Sequence, residues 1–217
     1  MTLFKTNNMK FIFLKLTLVL MLCQATILVN AQTVKLLNST SKASLRGLCV
    51  VDDKIVWVSG SGGTVGRSLD GGDSWTWMTV KGFEKADFRD IEAFDAKTAI
   101  IMGIASPAYI LKTTDGGTSW NEVFKDTAKE MFLDAMDFWD QNRGVVIGDP
   151  VNGRIFLAQT LDGGDNWREM KTNTFNVDSG EACFASSGTN IRKLNYVSNV
   201  YVTGGKASHI FIHNEKR

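Results

Sequence analysis

Five charged residues stand at corresponding places in four similar segments of this chain: Arg46, Arg89, Asp90, Asp134 and Glu181. In our alignment the two arginines share one column and the three carboxylates share the next. Guanidinium and carboxylate groups gathered at one opening can receive a polar segment or ligand. The alternative is that they pair with one another as solvated ion pairs. We predict that these five residues form a binding site.

The residue types needed for catalysis or metal binding do not occur in a suitable pattern. The sequence has no Gly-x-Ser-x-Gly motif, and no helical pattern follows the glycine-rich run at residues 60–63. His209 and His213 lie four residues apart in a predicted strand, a separation of ~13 Å that one metal ion cannot bridge. We therefore predict no catalytic residue, no metal ligand and no cofactor.

A repeated segment indicates the elements that position the charged residues. It reads SLDGGDSW at residues 68–75, TTDGGTSW at 113–120 and TLDGGDNW at 160–167. Its aspartates are 45 and 47 residues apart. A repeat of this length is one supersecondary unit that cannot bury its apolar face alone, so the units must pack in an array.

Each repeated segment is predicted to be a structural turn. Its aspartate would accept backbone amides across the turn, its second glycine would take a positive φ, and its tryptophan would pack between adjacent sheets. A catalytic carboxylate would not be needed three times in equivalent places. The predicted structural residues are Asp70, Gly72, Trp75, Asp115, Gly117, Trp120, Asp162, Gly164 and Trp167.

Short strand-forming runs surround each turn and are separated by Gly, Asp and Asn, without a helical period. Four antiparallel strands in about 45 residues are typical of a propeller blade. We predict an all-β propeller with blades at about residues 45–82, 88–126, 132–172 and 180–217, the last of them incomplete. Two arrangements stay open: an incomplete, truncated ring, which we favour, and a four-bladed ring closed by Val34–Leu37 as an outer strand.

The Ser/Thr-x-Asp-x-Gly-x-x-Trp pattern is the Asp box, and the chain from about Leu45 onward resembles the Asp-box (BNR-like) propeller family. This family includes sialidases, sortilin-type receptors and photosystem II stability and assembly factors. The chain is most similar to the assembly factors and their non-photosynthetic bacterial relatives, through residues 88–91 (FRDI) and 148–150 (GDP). The resemblance implies a propeller that binds a partner protein. It does not imply a particular activity, because enzymes and non-enzymes share the box.

We therefore predict a non-enzymatic protein that binds a protein partner. Two alternatives stay open: a sialidase-like or glycan-binding propeller, and an inactive fragment of a longer propeller. A sialidase needs a tyrosine nucleophile beside a glutamate, and none of Tyr109, Tyr196 and Tyr201 has such a neighbour in the alignment. The formal net charge of +1 gives no basic excess for nucleic acid or anionic lipid.

Residues 1–31 have the features of a secretory signal peptide, with three lysines, an apolar run and small residues before a cleavage site after Ala31. This predicts a secreted or periplasmic protein. A membrane anchor is the alternative, but Lys15 and Gln24 interrupt the run before the ~20 apolar residues that a span needs. Residues 32–44 are predicted to form an N-terminal strand or linker, and no stable membrane insertion is expected after cleavage.

Two cysteines lie beyond the predicted leader, Cys49 and Cys183, both within apolar runs. A disulfide and two buried free thiols are both compatible with this pattern. Two further segments are predicted to be loops. Residues 149–153 have the composition of a turn. Residues 186–195 are interpreted as one longer excursion between strands, and its first part, residues 186–190, is longer than a hairpin requires, which is common in recognition loops.

Overall fold

The computed structural model describes residue 15 and residues 34–37, 40–104, 106–170, 175–186, 188–195 and 197–214. Apart from Lys15, the predicted signal peptide and its cleavage site lie outside the described residues. The chain divides into two compact units, Met1–Leu37 and Asn38–Arg217. Residues 34–37 are exposed and belong to no strand, so the closed ring through Val34–Leu37 gains no support. Among the described residues, no helix is long and apolar enough to cross a membrane.

The second unit is built from antiparallel sheets. In sheets 1, 2 and 3, each strand pairs with the next one along the chain. Sheet 1 contains β1 (Leu45–Val50), β2 (Val56–Gly60), β3 (Thr64–Ser68) and β4 (Thr76–Thr79). Sheet 2 contains β5 (Phe88–Ala93), β6 (Ala99–Gly103), β7 (Ala108–Thr113) and β8 (Asn121–Asp126). Sheet 3 contains β9 (Leu133–Phe138), β10 (Gly144–Val151), β11 (Arg154–Thr160) and β12 (Arg168–Glu169).

What we call sheet 4 is less regular than the others, because its strands form two separate hydrogen-bonded groups. Its strands are β13 (Glu181–Ala182), β14 (Ile191–Asn195), β15 (Ser198–Val202), β16 (Gly204–Gly205) and β17 (Ile210–Asn214). β15 lies between β14 and β17, while β13 pairs with β16. Our interpretation of residues 186–195 as one loop is therefore wrong for its second half. In β14 only Ile191 is buried and the other four residues are exposed, so the segment lacks the apolar alternation that predicts a strand.

Successive sheets pack face to face and enclose three apolar clusters, one in each space between neighbours. We call the face toward the preceding sheet the leading face and the opposite one the trailing face. In sheet 3, Met136 and Val146 lie on the leading face, against sheet 2, while Ala135 and Ile147 lie on the trailing face, against sheet 4. This alternation follows from the two-residue period of a strand. Burying each large side chain contributes about 1.5–3 kcal/mol.

The three repeated segments adopt the same turn between the third and fourth strands of their sheets. In sheet 2, Asp115 accepts hydrogen bonds from the backbone amide of Ser119 (2.9 Å), from its hydroxyl (2.6 Å) and from the hydroxyl of Thr113 (2.9 Å). The Thr113 hydroxyl oxygen accepts the amide of Gly117 at 3.0 Å. Equivalent bonds surround Asp70 and Asp162. The second glycines, Gly72, Gly117 and Gly164, have φ of +95°, +88° and +85°.

The tryptophans of these turns are not equivalent. Trp167 is buried between sheets 2 and 3, and Trp120 packs against the cluster between sheets 1 and 2. Trp75 instead stacks on Trp77 of its own sheet, with ring centroids 5.5 Å apart. The expectation that each tryptophan packs between two sheets is therefore wrong for Trp75. The described residues provide no sheet in front of sheet 1 for this side chain to pack against.

The turn that we predict at residues 149–153 is shorter in the structure. β10 continues to Val151, and only Asn152 and Gly153 form the connection, with φ of +52° and +74°. Asn-Gly is the favoured pair for a two-residue hairpin of this kind. Pro150 lies within β10 next to an irregularity in the pairing with β11, a position where a strand tolerates proline.

Candidate functional site

Each of the first three sheets has one extra residue near the beginning of its inner strand. The strand pairing skips Arg46 in β1, Arg89 in β5 and Asp134 in β9. These three residues are structurally equivalent β-bulges. Our alignment placed Asp134 in the same column as Asp90 and was shifted by one residue, because a bulge cannot be read from the spacing of apolar runs. Bulges redirect a side chain, and they are common beside binding sites.

Residues of all four sheets line one small pocket. Its volume is about 150 Å³, and it is lined by Arg46, Gly47, Leu48, Arg89, Asp90, Glu92, Met136, Gly188 and Arg192. The structure thus brings together three predicted site residues, Arg46, Arg89 and Asp90. It adds Arg192 and Glu92, which our sequence analysis missed. Arg192 belongs to the strand that we interpreted as a loop, whereas Gly188 lies in the part of that segment that does form a loop.

Asp90 connects two sheets at the bottom of this pocket. It is 8% exposed, and its two oxygens accept the amides of Ile91 (2.9 Å) and of Met136 in β9 (2.8 Å). Burial raises the pKa of Asp90 to about 7, although these amides and the charge of Arg192 oppose the change. Asp137 makes the same kind of connection to sheet 4, because it accepts the amides of Phe138 and Lys193.

Glu92 lies two residues after Asp90 on the same face of β5. Its pKa is raised to about 8, mainly by burial and then by the neighbouring charges of Asp90 and Asp137. Arg192 acts in the opposite direction. Near neutral pH, a large share of Asp90 and Glu92 is therefore protonated. The guanidinium groups then dominate the charge of the pocket.

Asp134 does not belong to this pocket. It is 1% exposed, and no described residue makes a hydrogen bond of normal geometry to either carboxylate oxygen, although the Ala185 amide lies close enough to act on its pKa. Burial raises its pKa to about 9, followed by the effect of Asp149, while the Ala185 amide and the Arg89 charge lower it. Asp149 itself accepts the amide of Cys183 at 2.8 Å. Asp134 is thus a buried carboxyl group that favours its neutral form.

Glu181, the fifth predicted site residue, lies in a separate group of polar side chains. Its carboxylate accepts the hydroxyl of Thr203 and lies 2.8 Å from Nδ1 of His209. Hydrogen bonding to Glu181 raises the pKa of His209. The atoms of Asp178, Glu181 and His209 that could coordinate a metal ion lie within 4.8 Å of one another. The partners of Glu181 satisfy it without one, so we interpret the group as an ion pair.

The second concave region lies between the segment joining sheets 1 and 2 and the β6–β7 hairpin. It has a volume of about 540 Å³ and includes Phe83, Pro107 and Tyr109 among its lining residues. Phe83 and Tyr109 pack edge to face with centroids 5.0 Å apart. Asp87 also lines this region and is bound by Arg89 at 2.9 Å. Arg89 therefore lines the first pocket and binds a residue that lines this region.

Comparison with known proteins gives no sequence-level assignment. No family model matches the chain, and no curated protein matches it. Solved structures, in contrast, match its fold. YCF48 bound to a D1 peptide matches with a TM-score of 0.55 and 18% identity over 87% of this chain. YCF48 from Cyanidioschyzon merolae matches with a TM-score of 0.57 and 16% identity over 84% of this chain.

The fold is a β-propeller. Its four successive antiparallel sheets are open, as in an incomplete ring. An ancestral GH74 enzyme also matches, with a TM-score of 0.57 and 14% identity over 80% of this chain and 24% of the enzyme. The propeller described here covers 59 and 60% of the two YCF48 chains. At such identities the likeness concerns the fold alone.

Proposed function

We propose that this protein is a non-enzymatic propeller that binds an acidic segment of a partner protein in the pocket of Arg46, Arg89 and Arg192. The observation that carries the proposal is the convergence of three guanidinium groups from different sheets on one pocket of about 150 Å³. We further propose that the protein acts outside the cytoplasm, on the basis of its predicted signal peptide.

The electrostatics of the pocket favour a carboxylate ligand. Asp90 and Glu92 have pKa values raised to about 7 and about 8, so near neutral pH they only partly offset the arginines. Both oxygens of Asp90 are already occupied by backbone amides. An arriving carboxylate would therefore meet guanidinium donors, which bind carboxylates with two parallel hydrogen bonds.

A protein partner is supported by a structural neighbour. YCF48 has the same fold and is known in a complex with a D1 peptide. The sheets of the present chain provide a rigid frame for such a pocket, because Asp90 and Asp137 tie successive inner strands together. A ligand that binds a preformed site loses less entropy on binding.

The test uses Arg46→Ala combined with Arg192→Ala. Three peptide libraries of equal length, one acidic, one neutral and one basic, are compared by fluorescence anisotropy. We expect the wild-type protein to prefer the acidic library and the double variant to bind it at least about tenfold more weakly, because the loss of a charge-assisted contact typically exceeds 1.4 kcal/mol.

The control is Arg168→Ala, which removes an exposed arginine outside the pocket. It should leave acidic peptide binding unchanged, and all variants should keep the wild-type melting temperature. Equal binding of the three libraries would contradict the proposal. A large decrease in melting temperature for the double variant would show that the arginines are structural.

A glycoside hydrolase is the second candidate, because a GH74 enzyme shares the fold and because Glu92 has the raised pKa of a general acid. Sialylated and other glycans can be incubated with the protein and analysed for released sugar. Turnover that disappears in Glu92→Gln would replace the binding-only proposal with this one.

A further inference from the structure

The leading face of sheet 1 exposes apolar side chains that are buried at the same positions of the other sheets. Leu48 and Val50 are 65 and 62% exposed. The strand registers place Leu48 at the position of Ile91 and Met136, which are both 1% exposed. Val50 corresponds to Ala93 and Phe138, which are 8 and 6% exposed. Sheet 1 thus has a face of the kind that packs on another sheet.

Two tryptophans extend this face toward the outer strand. Trp77 packs over Gly66 and Val58, because a Cβ added at Gly66 would lie 2.5 Å from the Trp77 ring and 2.8 Å from Val58. Val58 pairs with Leu48, so these residues share the leading face. Trp75 stacks on Trp77. The apolar surface therefore extends across the whole sheet from β1 to β4.

The trailing face of sheet 4 has the same property. Ile210, Ile212 and Val202 are 74, 57 and 38% exposed. Their neighbours on the opposite face, such as Tyr201, are buried against sheet 3. On the trailing face of sheet 3, Val145 and Ile147 are fully buried by sheet 4. In each of the three contacts between successive sheets, a trailing face packs on a leading face. The exposed trailing face of sheet 4 is therefore complementary to the exposed leading face of sheet 1.

We propose that a second copy of this chain covers both faces, with the leading face of sheet 1 in one copy packed on the trailing face of sheet 4 in the other. A second copy is the occupant that carries both complementary faces at once. A twofold axis forms two such contacts together, and this leaves neither face exposed. The resulting array has eight sheets, within the range of four to eight blades known for propellers.

The contact area is sufficient for a stable dimer. Strands about 4.8 Å apart, each with about five residues at ~3.4 Å, give roughly 330 Å² in plan for the four strands of sheet 1 and roughly 240 Å² for β14, β15 and β17 of sheet 4. A closed dimer brings two of each face together, or roughly 1,100 Å² in plan, and the accessible surface exceeds this because side chains project from each face. Stable interfaces bury about 1,200–2,000 Å² of accessible surface.

The experiment measures the molar mass of the purified protein by light scattering and sedimentation over micromolar concentrations. We expect a dimer for the wild type and a monomer for Leu48→Glu and for Ile212→Glu, because each charge would lie in both contacts. Leu161→Glu is the matched control. Leu161 is 60% exposed in the turn of sheet 3, outside both faces, so this variant should remain a dimer.

A mixture of the two monomeric variants tests the orientation of the copies. Leu48→Glu retains an intact trailing face and Ile212→Glu an intact leading face, so an equimolar mixture should regain dimers through one unaltered contact. Dimers that form only in the mixture support the head-to-tail arrangement. A monomeric wild type, dimeric single variants, no recovery in the mixture, or open multimers of increasing size would each overturn the proposal.

Discussion

Asp134 and Asp137 lie three residues apart on β9, and their carboxylates differ in hydrogen bonding. Asp137 accepts two backbone amides, one of them from sheet 4. Asp134 is more deeply buried, and no described residue makes a hydrogen bond of normal geometry to its oxygens. An unpartnered buried carboxyl destabilises a fold once it ionises.

Asp134→Asn is expected to stabilise the protein at neutral pH. In the unfolded chain the carboxyl ionises near its ordinary pKa of 3.8, whereas in the folded chain its pKa is about 9. The free energy of unfolding therefore decreases as pH rises between these values. The asparagine amide does not ionise, so the variant lacks this pH dependence. Its free energy of unfolding at pH 7 should exceed that of the wild type by an amount on the order of 2–4 kcal/mol. Urea unfolding at a series of pH values measures it.

Asp137→Asn is the control on the same strand. Its carboxylate is hydrogen-bonded, so this substitution should lower the stability at pH 7, because an amide has one accepting oxygen for two backbone amides. At pH 4 the gain from Asp134→Asn should nearly vanish. A gain that does not depend on pH would mean that ionisation of Asp134 is not the cause.

At the scale of the element, the repeated turn is attached to the neighbouring hairpin of its own sheet. The first glycine of each turn donates its amide to a carbonyl between the first and second strands: Gly71 to Lys54, Gly116 to Lys97 and Gly163 to Asn142, at 2.8–2.9 Å. A Cβ at Gly163 would lie 2.9 Å from the carbonyl oxygen of Gln141. Glycine is required here by close approach as well as by its φ of +72°.

Gly163→Ala is therefore expected to destabilise more than Gly153→Ala. Gly153 lies in the same sheet with a φ of +74°, and nothing lies within 4 Å of a Cβ added there. Both substitutions should lower the free energy of unfolding by about 1–2 kcal/mol, because a residue with a Cβ disfavours the left-handed conformation. Only Gly163→Ala adds a contact with a fixed backbone atom, at about 1–3 kcal/mol. Thermal unfolding compares the two, and equal effects would show that the turn can move away from its neighbour.

At the scale of the whole molecule, the two cysteines belong to the first and last sheets. Cys49 is in β1, Cys183 directly follows β13, and both thiols are free. The alternative of a disulfide between them is therefore wrong for this structure. Cys49 lies 3.6 Å from the carbonyl oxygen of Ala93 in sheet 2, and Cys183 is buried against sheet 3. Each cysteine packs as a small apolar residue.

The melting temperature is expected to be the same with and without a reducing agent. Burial raises the pKa of Cys49 to about 11 and raises that of Cys183 as well, so alkylation of the folded protein at pH 8 should be slow at both sites. Mass spectrometry after labelling measures this, with the urea-unfolded protein as the control. Rapid labelling of folded Cys183, or a melting temperature that falls on reduction, would contradict this packing.

Local patterns predicted sheets 1 to 3 because short apolar-rich runs there are separated by Gly, Asp and Asn. The same rules missed β14, where a single residue is buried. They also aligned Asp134 with Asp90 instead of Arg89, because one inserted residue in a strand leaves the spacing of apolar residues almost unchanged. Arg192 was missed for both reasons. Its strand was not recognised, and its place in the pocket depends on β14, which begins 102 residues after Arg89.

The sequence by itself determined the repeating unit, since Asp, Gly and Trp at fixed spacing act within one turn and need only neighbouring residues. It also determined that the chain is all-β. The tertiary structure alone decided which charged residues meet. Packing of successive inner strands brings Arg46, Arg89 and Arg192 to one pocket, buries Asp134 away from that pocket, and places Glu181 beside His209. Such contacts depend on strand register and on distances between sheets, and neither is encoded in the spacing of residues along the chain.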